Sequence, residues 1–299
     1  MKQVNQTSKG RDVYAIVTNR IIALLEQGVI PWRKTWTESG LPQNLITGKA
    51  YRGINLWLLS SLNYRQNFFL TFRQAKELGG TVRNGEKGHL VVFTKWVEEE
   101  KPGTNEKSKK AFLRSYIVFN VAQCDGIPEG KIPEVIVPND PMGECRDIVA
   151  RMPQCPPIHN ETGGPFYNPL EDYINMPLWS DFENGEEFYI TMFHEMIHST
   201  GHESRLSRKE SEGKNPTAIE AYSIEELIAE LGACYLMSYA GIQQRNLSNS
   251  AAYIQGWLSK LKDDKRMIVY ASAHAQRAVE FILNSAPEPV VKEEREELV

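Results

Sequence analysis

Apolar residues recur along this chain at two spacings, and the change from one to the other marks out its elements. Between 11 and 28, Val13, Val17, Ile21 and Leu24 fall on one face of a helix that Gly28 ends. Thr71-Phe72-Arg73-Gln74 has the pattern of a capping box, which predicts a helix starting there and stopping at Gly79-Gly80. Two β-rich runs follow, His89–Val97 and Phe112–Val121, with the charged Gly- and Pro-containing stretch 98–111 expected as a mobile hairpin tip. From Gly126 to Pro141 four prolines exclude a helix or a central strand. Helical spacing then returns near 142–151, over 184–200 and 224–240, and again at Tyr253–Leu261 and Val269–Leu283. Short extended segments are expected at 165–169 and 172–177. The fold class is α+β in two domains: a small α+β domain at 1–126, a linker at 127–141, a second domain at 142–287 and a charged tail at 288–299.

The helix over 184–200 carries the chemistry. Tyr189, Ile190, Phe193 and Ile197 form its apolar stripe, which leaves His194 and His198 one turn apart, where both imidazoles can meet one ion. Zinc suits imidazole donors, so one Zn2+ per chain is expected, with Glu195 placed to act as general base on a water. Gly201 sits where metzincins have a glycine, but Ser204 stands where they have a third histidine, so that subtype fails. His202 would reach the ion only if the helix ran on through Gly201, and glycine near a helix end more often caps it. Downstream, Ser223 and Glu226 suggest a capping box opening an amphipathic helix with apolar positions 224, 227, 228 and 231. Glu226 and Glu230 share one face of it, beside the small residues Ala229 and Gly232. This resembles the gluzincin arrangement, in which a glutamate on a second helix completes the triad and an acidic residue one turn on orients a histidine. The resemblance makes Glu226 the third ligand and Glu230 the orienting group; the residues alone leave Glu230 and His202 open as ligands. In zincins an edge strand also pairs with extended peptide substrate, and 172–176 is the expected strand.

Charge separates the two domains. Residues 1–126 hold 19 Lys and Arg against 10 Asp and Glu, whereas the remainder holds 15 against 28. A basic front half is the footprint of a phosphate-backbone binder. Trp32-Arg33-Lys34, followed by Trp36, interleaves aromatics and cations as single-stranded nucleic acid requires, although tryptophans here could instead close a small core. Arg52, Arg73, Lys76 and Lys87 are the other expected DNA contacts. Four cysteines without close-pair spacing suggest reduced thiols. No apolar run is long enough to span a bilayer, and residues 1–17 lack a hydrophobic signal region, so no membrane partner and a cytoplasmic location are expected.

Six stretches carry a further resemblance: VTNRIIALLEQGVIPWRKTW, PQNLITGKAYRGIN and LTFRQAKELGGTVRNGEKG in front, and FHEMIHSTGHESRL, EELIAELGACYL and YIQGWLSKLKDDKR behind. In this order they resemble the ArdC family of plasmid conjugative antirestriction proteins. The resemblance implies an N-terminal single-stranded-DNA-binding domain and a C-terminal zincin-like metallopeptidase domain. It also implies protection of incoming plasmid DNA from restriction enzymes. His194, Glu195, His198 and Glu226 carry over onto the family's metal motif. Two mechanisms follow: cleavage of a protein such as a restriction-enzyme subunit, or steric coating of DNA with a structural or vestigial metal site. A DNA–protein crosslink protease is a third.

Overall fold

Phe68-Phe69-Leu70 is apolar at every position, and a strand covered on both faces needs such a run. In the computed structural model, which describes residues 12–33, 40–100, 107–134, 140–208, 218–242 and 251–285, these three residues are fully buried. The front elements are α1 (Val13–Glu26), β1 (Gln43–Asn44), α2 (Ile54–Ser60), β2 (Phe68–Leu70) and α3 (Phe72–Glu77), then β3 (Thr81–Val82), β4 (His89–Glu100), β5 (Lys107–Asn120) and β6 (Cys124–Asp125). Four strands form one sheet in the order β1-β2-β5-β4, and β3 pairs with β6 in a second. Alternation along β2 divides the core. Phe69 joins Tyr51, Leu59, Val91 and Val118 on one face, while Phe68 and Leu70 join Leu45, Ala75 and Val121 on the other. Buried Asn55 on α2 closes the edge strand β4, donating to the Val92 carbonyl at 2.7 Å and accepting from the Val92 amide at 2.7 Å. The ladder of β4 and β5 runs from His89–Val118 to Glu100–Lys107, so much of the stretch expected as a hairpin tip is strand.

The rear elements are α4 (Pro141–Arg151), β7 (Ile158–His159), β8 (Phe166–Asn168), β9 (Tyr173–Asn175), α5 (Gly185–Ser199) and α6 (Ala218–Tyr239). Two further helices, α7 (Ala251–Asp263) and α8 (Met267–Ile282), follow. The rear sheet has the order β7-β9-β8. Residues 172–176, expected as an edge, are therefore its centre: β9 pairs in parallel with β7 and antiparallel with β8, and β7 and β8 are the edges. Helix α6 begins at Ala218, five residues before Ser223, so Ser223 lies inside the helix and the expected capping box does not open it.

The chain divides into two compact units, Met1–Val137 with Gln243–Tyr270, and Pro138–Ile242 with Ala271–Val299. The expected rear domain at 142–287 had included α7, but α7 packs on α1 of the first unit. Trp32 explains this. It is 1 % exposed, meets Trp257 edge-on at 6.4 Å and donates from Nε1 to the Tyr253 hydroxyl at 3.2 Å. Thr18, buried on α1, donates to the Lys265 carbonyl at 2.6 Å. Among the described residues no helix is long and apolar enough to cross a membrane. All four cysteines are free thiols, and burial pushes that of Cys145 up to about 12.

Candidate metal centre

Helix α5 is capped by Asn184, whose side chain accepts from the Glu187 amide at 2.9 Å. Phe193, Met196 and Ile197 bury one side of the helix and leave His194 and His198 on the other, partly open to solvent. Helix α6 packs along α5 because Gly232 has no side chain: a Cβ there would lie 2.5 Å from Ile197 Cδ1. Ala229, also fully buried, supplies the second small position. Gly232→Val should therefore overpack the seam, at about 1–3 kcal/mol, and weaken metal uptake by shifting α5. Thermal melting and a metal titration check the two effects.

That close approach brings Glu226 over both histidines. Nε2 of His194 lies 3.1 Å from Nε2 of His198, and the Glu226 carboxylate oxygens lie 3.5 Å from each nitrogen. Among the described residues no other three such donors lie within 4.8 Å of one another. A tetrahedral ion with bonds of about 2.0–2.1 Å separates neighbouring donors by about 3.3–3.4 Å, and an octahedral one with similar bonds by about 3.0 Å. The triangle fits a divalent cation in either geometry. His202 is turned away: α5 stops at Ser199, and His202 Nδ1 accepts from the Ser204 amide at 3.2 Å.

Glu195 is 8 % exposed. Burial raises its pKa, while the fields of His194 and His198 and the backbone N–H of Tyr167, on the edge strand β8, favour its charge. Glu195 is thus tied to the strand beside it. That strand is held by Arg205, which donates to both oxygens of Asp172, to the Tyr167 hydroxyl at 3.2 Å and to the Ser199 carbonyl at 2.7 Å.

Glu226 sits well below the usual carboxylate range because both histidines hydrogen-bond to it. Burial would push Glu225, its neighbour, upward, but contacts with His198 and Arg208 bring it down to about 2. Burial disfavours charge on His198 as well, yet Glu225 and Glu226 raise it to about 9. Glu230 lies one turn beyond Glu226 and is half-buried. The carboxylate placed against His198 Nδ1, at 3.5 Å, is that of Glu225.

Comparison with known proteins agrees with this geometry. Residues 155–274 match the zincin-like metallopeptidase family MPTase-PolyVal, and residues 11–119 match the N-terminal domain of anti-restriction factor ArdC. A crystal structure of the antirestriction ArdC protein from plasmid R388, metal-free, superposes with a TM-score of 0.72 at 39 % identity, covering 92 % of this chain and all of that one. The chain belongs to the ArdC family. A Mn(II)-bound structure of the same R388 protein matches with a TM-score of 0.71, over 91 % of this chain and 97 % of that one. The uncharacterized protein y4eC of Sinorhizobium fredii (strain NBRC 101917 / NGR234) is 32 % identical, with 91 % of each chain covered. DNA primase TraC of Escherichia coli is also 32 % identical over 89 % of this chain, which spans about a quarter (26 %) of that protein's length. The family and its zincin-like rear domain support a divalent-metal site at the triangle.

The ArdC-type front domain distributes the expected DNA contacts unevenly. Trp32 is a core residue, so its assignment as a base-stacking side chain is corrected: no face of it is open. Arg33 lies 4.0 Å over the Tyr253 ring, and Lys34 is outside the described residues. Arg52 is half-buried. Arg73 is exposed and paired with Glu77 at 2.8 Å. Lys76 is exposed, 5.3 Å over the ring of half-exposed Phe72, and Lys87 is exposed. Sequence reading missed one aromatic group. Phe93 is 45 % exposed, lies 5.5 Å from Tyr116, and stands opposite exposed Arg114 in the ladder. Its signal was the alternation along β4 and β5, which puts these three side chains on one face.

Proposed function

We propose that this protein is a cytoplasmic antirestriction factor that binds single-stranded DNA and carries a zinc-dependent metallopeptidase, protecting incoming plasmid DNA by cleaving a protein that meets it, such as a restriction-enzyme subunit. The observation that carries the reading is the triangle of His194, His198 and Glu226, with Glu195 one residue from its first ligand. These three residues would hold the cation, and two imidazoles with one carboxylate form a donor set that zinc accepts. When bound, the cation supplies Lewis acidity for polarising a peptide carbonyl. Glu195 takes the proton of the attacking water and returns it to the leaving amine. β8, the exposed edge beside Glu195, offers its backbone to an extended peptide.

For the nucleic acid, the front unit supplies cations at Arg52, Arg73, Lys76 and Lys87 and an open ring at Phe93, with Tyr116 and Arg114 beside it. Base stacking on an aromatic is worth roughly 1–3 kcal/mol per base. Phe93→Ala should therefore weaken binding of an oligothymidine several-fold or more, and Arg114→Ala should reduce the slope of affinity against salt. A fluorescence-anisotropy titration of the full chain at several salt concentrations measures both. The same preparation, assayed for zinc and manganese content and for hydrolysis of unfolded protein with and without the oligonucleotide, tests the whole proposal. One equivalent of metal and DNA-dependent cleavage are expected. A metal-free protein that ignores DNA would refute it.

A further inference from the structure

His198 is held from both sides. Its Nε2 faces the site, 3.1 Å from His194 Nε2 and 3.5 Å from Glu226. Its Nδ1 faces backward and lies 3.5 Å from Glu225 Oε1. A neutral imidazole that gives Nε2 to a cation must carry its proton on Nδ1, so the group facing Nδ1 sets the tautomer and the ring's aim. Glu225 is itself fixed. Arg208 reaches its carboxylate with two prongs, Nε to Oε2 at 3.0 Å and Nη2 to Oε1. A planar guanidinium holds a carboxylate in this way with little freedom of rotation.

The Arg208 side chain is 4 % exposed, and its further donors serve the end of α5. Nη1 donates to Thr200 Oγ1 at 2.8 Å and Nη2 to the Ile197 carbonyl at 3.1 Å. Gly201 leaves the space: a Cβ there would stand 3.1 Å from Arg208 Nη2. The glycine that imitates a metzincin motif in the sequence thus has a different job, admitting the arginine. Arg208 latches the start of the buried part of α6 onto the last turn of α5, and Glu225 is the carboxylate it delivers to His198.

We propose that Glu225, anchored by Arg208, is the positioning residue that orients His198 for metal binding, in the place that the gluzincin resemblance had implied for Glu230. The pair lies outside the donor set and acts on a divalent cation through His198. This rests on the metal reading of the His194–His198–Glu226 triangle.

The test uses the full chain, stripped of metal and titrated with Zn2+ against a chelating indicator. Nitrogen-15 spectra of the zinc-loaded protein report the proton on His198 Nδ1. Glu225→Gln keeps the size and removes the charge. It should lower zinc affinity by about 10–100-fold, the usual effect of losing such a partner, and shift or broaden the Nδ1–H signal. Glu230→Gln should leave both unchanged. Arg208→Lys keeps the charge but loses the fork, and should give the same spectral change with a smaller loss of affinity. It carries the test if Glu225→Gln fails to fold. Unchanged affinity and an unchanged Nδ1–H signal in the variant that folds would overturn the proposal. So would a Glu230→Gln variant as impaired as Glu225→Gln. Wild-type protein that takes up neither Zn2+ nor Mn2+ would instead remove the metal reading itself, before any variant is compared.

Discussion

Replacing Glu195 with Gln should leave the metal in place and slow peptide hydrolysis by about 10²–10⁴-fold, the usual worth of a positioned general base. The residue is buried beside the donor triangle without belonging to it, and the amide has the same shape but cannot take a proton. Metal content by emission spectroscopy and single-turnover cleavage of an unfolded protein measure the two halves of the expectation. The same variant, tested for protection of transferred DNA in cells, separates the two mechanisms. Lost protection would tie antirestriction to proteolysis. Full protection with metal still bound and cleavage abolished would mean that coating of the DNA suffices.

The second large effect falls in the front unit. Trp32→Ala should destabilise that unit by about 3–5 kcal/mol, as expected when a fully buried tryptophan is removed from a packed core. Its ring edge against Trp257 and its N–H to Tyr253 both go with it. Trp32→Phe should lose less, because much of the apolar volume stays while the hydrogen bond is lost. Denaturant melts followed by fluorescence report the size of the effect, and a DNA titration below the transition tells packing from recognition. A Trp32→Ala protein as stable as the wild type but blind to DNA would restore tryptophan as a stacking residue.

How much was legible in the sequence depended on how far each residue's partner lies along the chain. His194, Glu195 and His198 share one helix, so their spacing alone placed them. Glu226 was legible because Ala229 and Gly232 beside it announce a close helix crossing, which the Ile197 contact at Gly232 bears out geometrically. Glu225 was not legible. Glu225 and Glu230 look alike in sequence, and only the fork on Glu225 from Arg208, seventeen residues upstream of it, separates them. The edge strand was misread for a related reason. Pairing of β7 with β9 skips over β8, and no local pattern reports a strand order that departs from chain order. Pro31-Trp32-Arg33 looked like a nucleic-acid motif because the rings covering Trp32 come from α7, more than 200 residues later. The front segment of the first unit ends at Val137, within the proline-rich stretch, and nothing in the composition announced the return to that unit at 243.

That return has a consequence during synthesis. The ribosome releases the front of the chain first, yet the surface of α1 and the ring of Trp32 wait for α7 to emerge before they are covered. The front unit therefore matures only after helices α5 and α6 have already left the tunnel, and a nascent chain halted near residue 137 would present a greasy, unfinished face to chaperones.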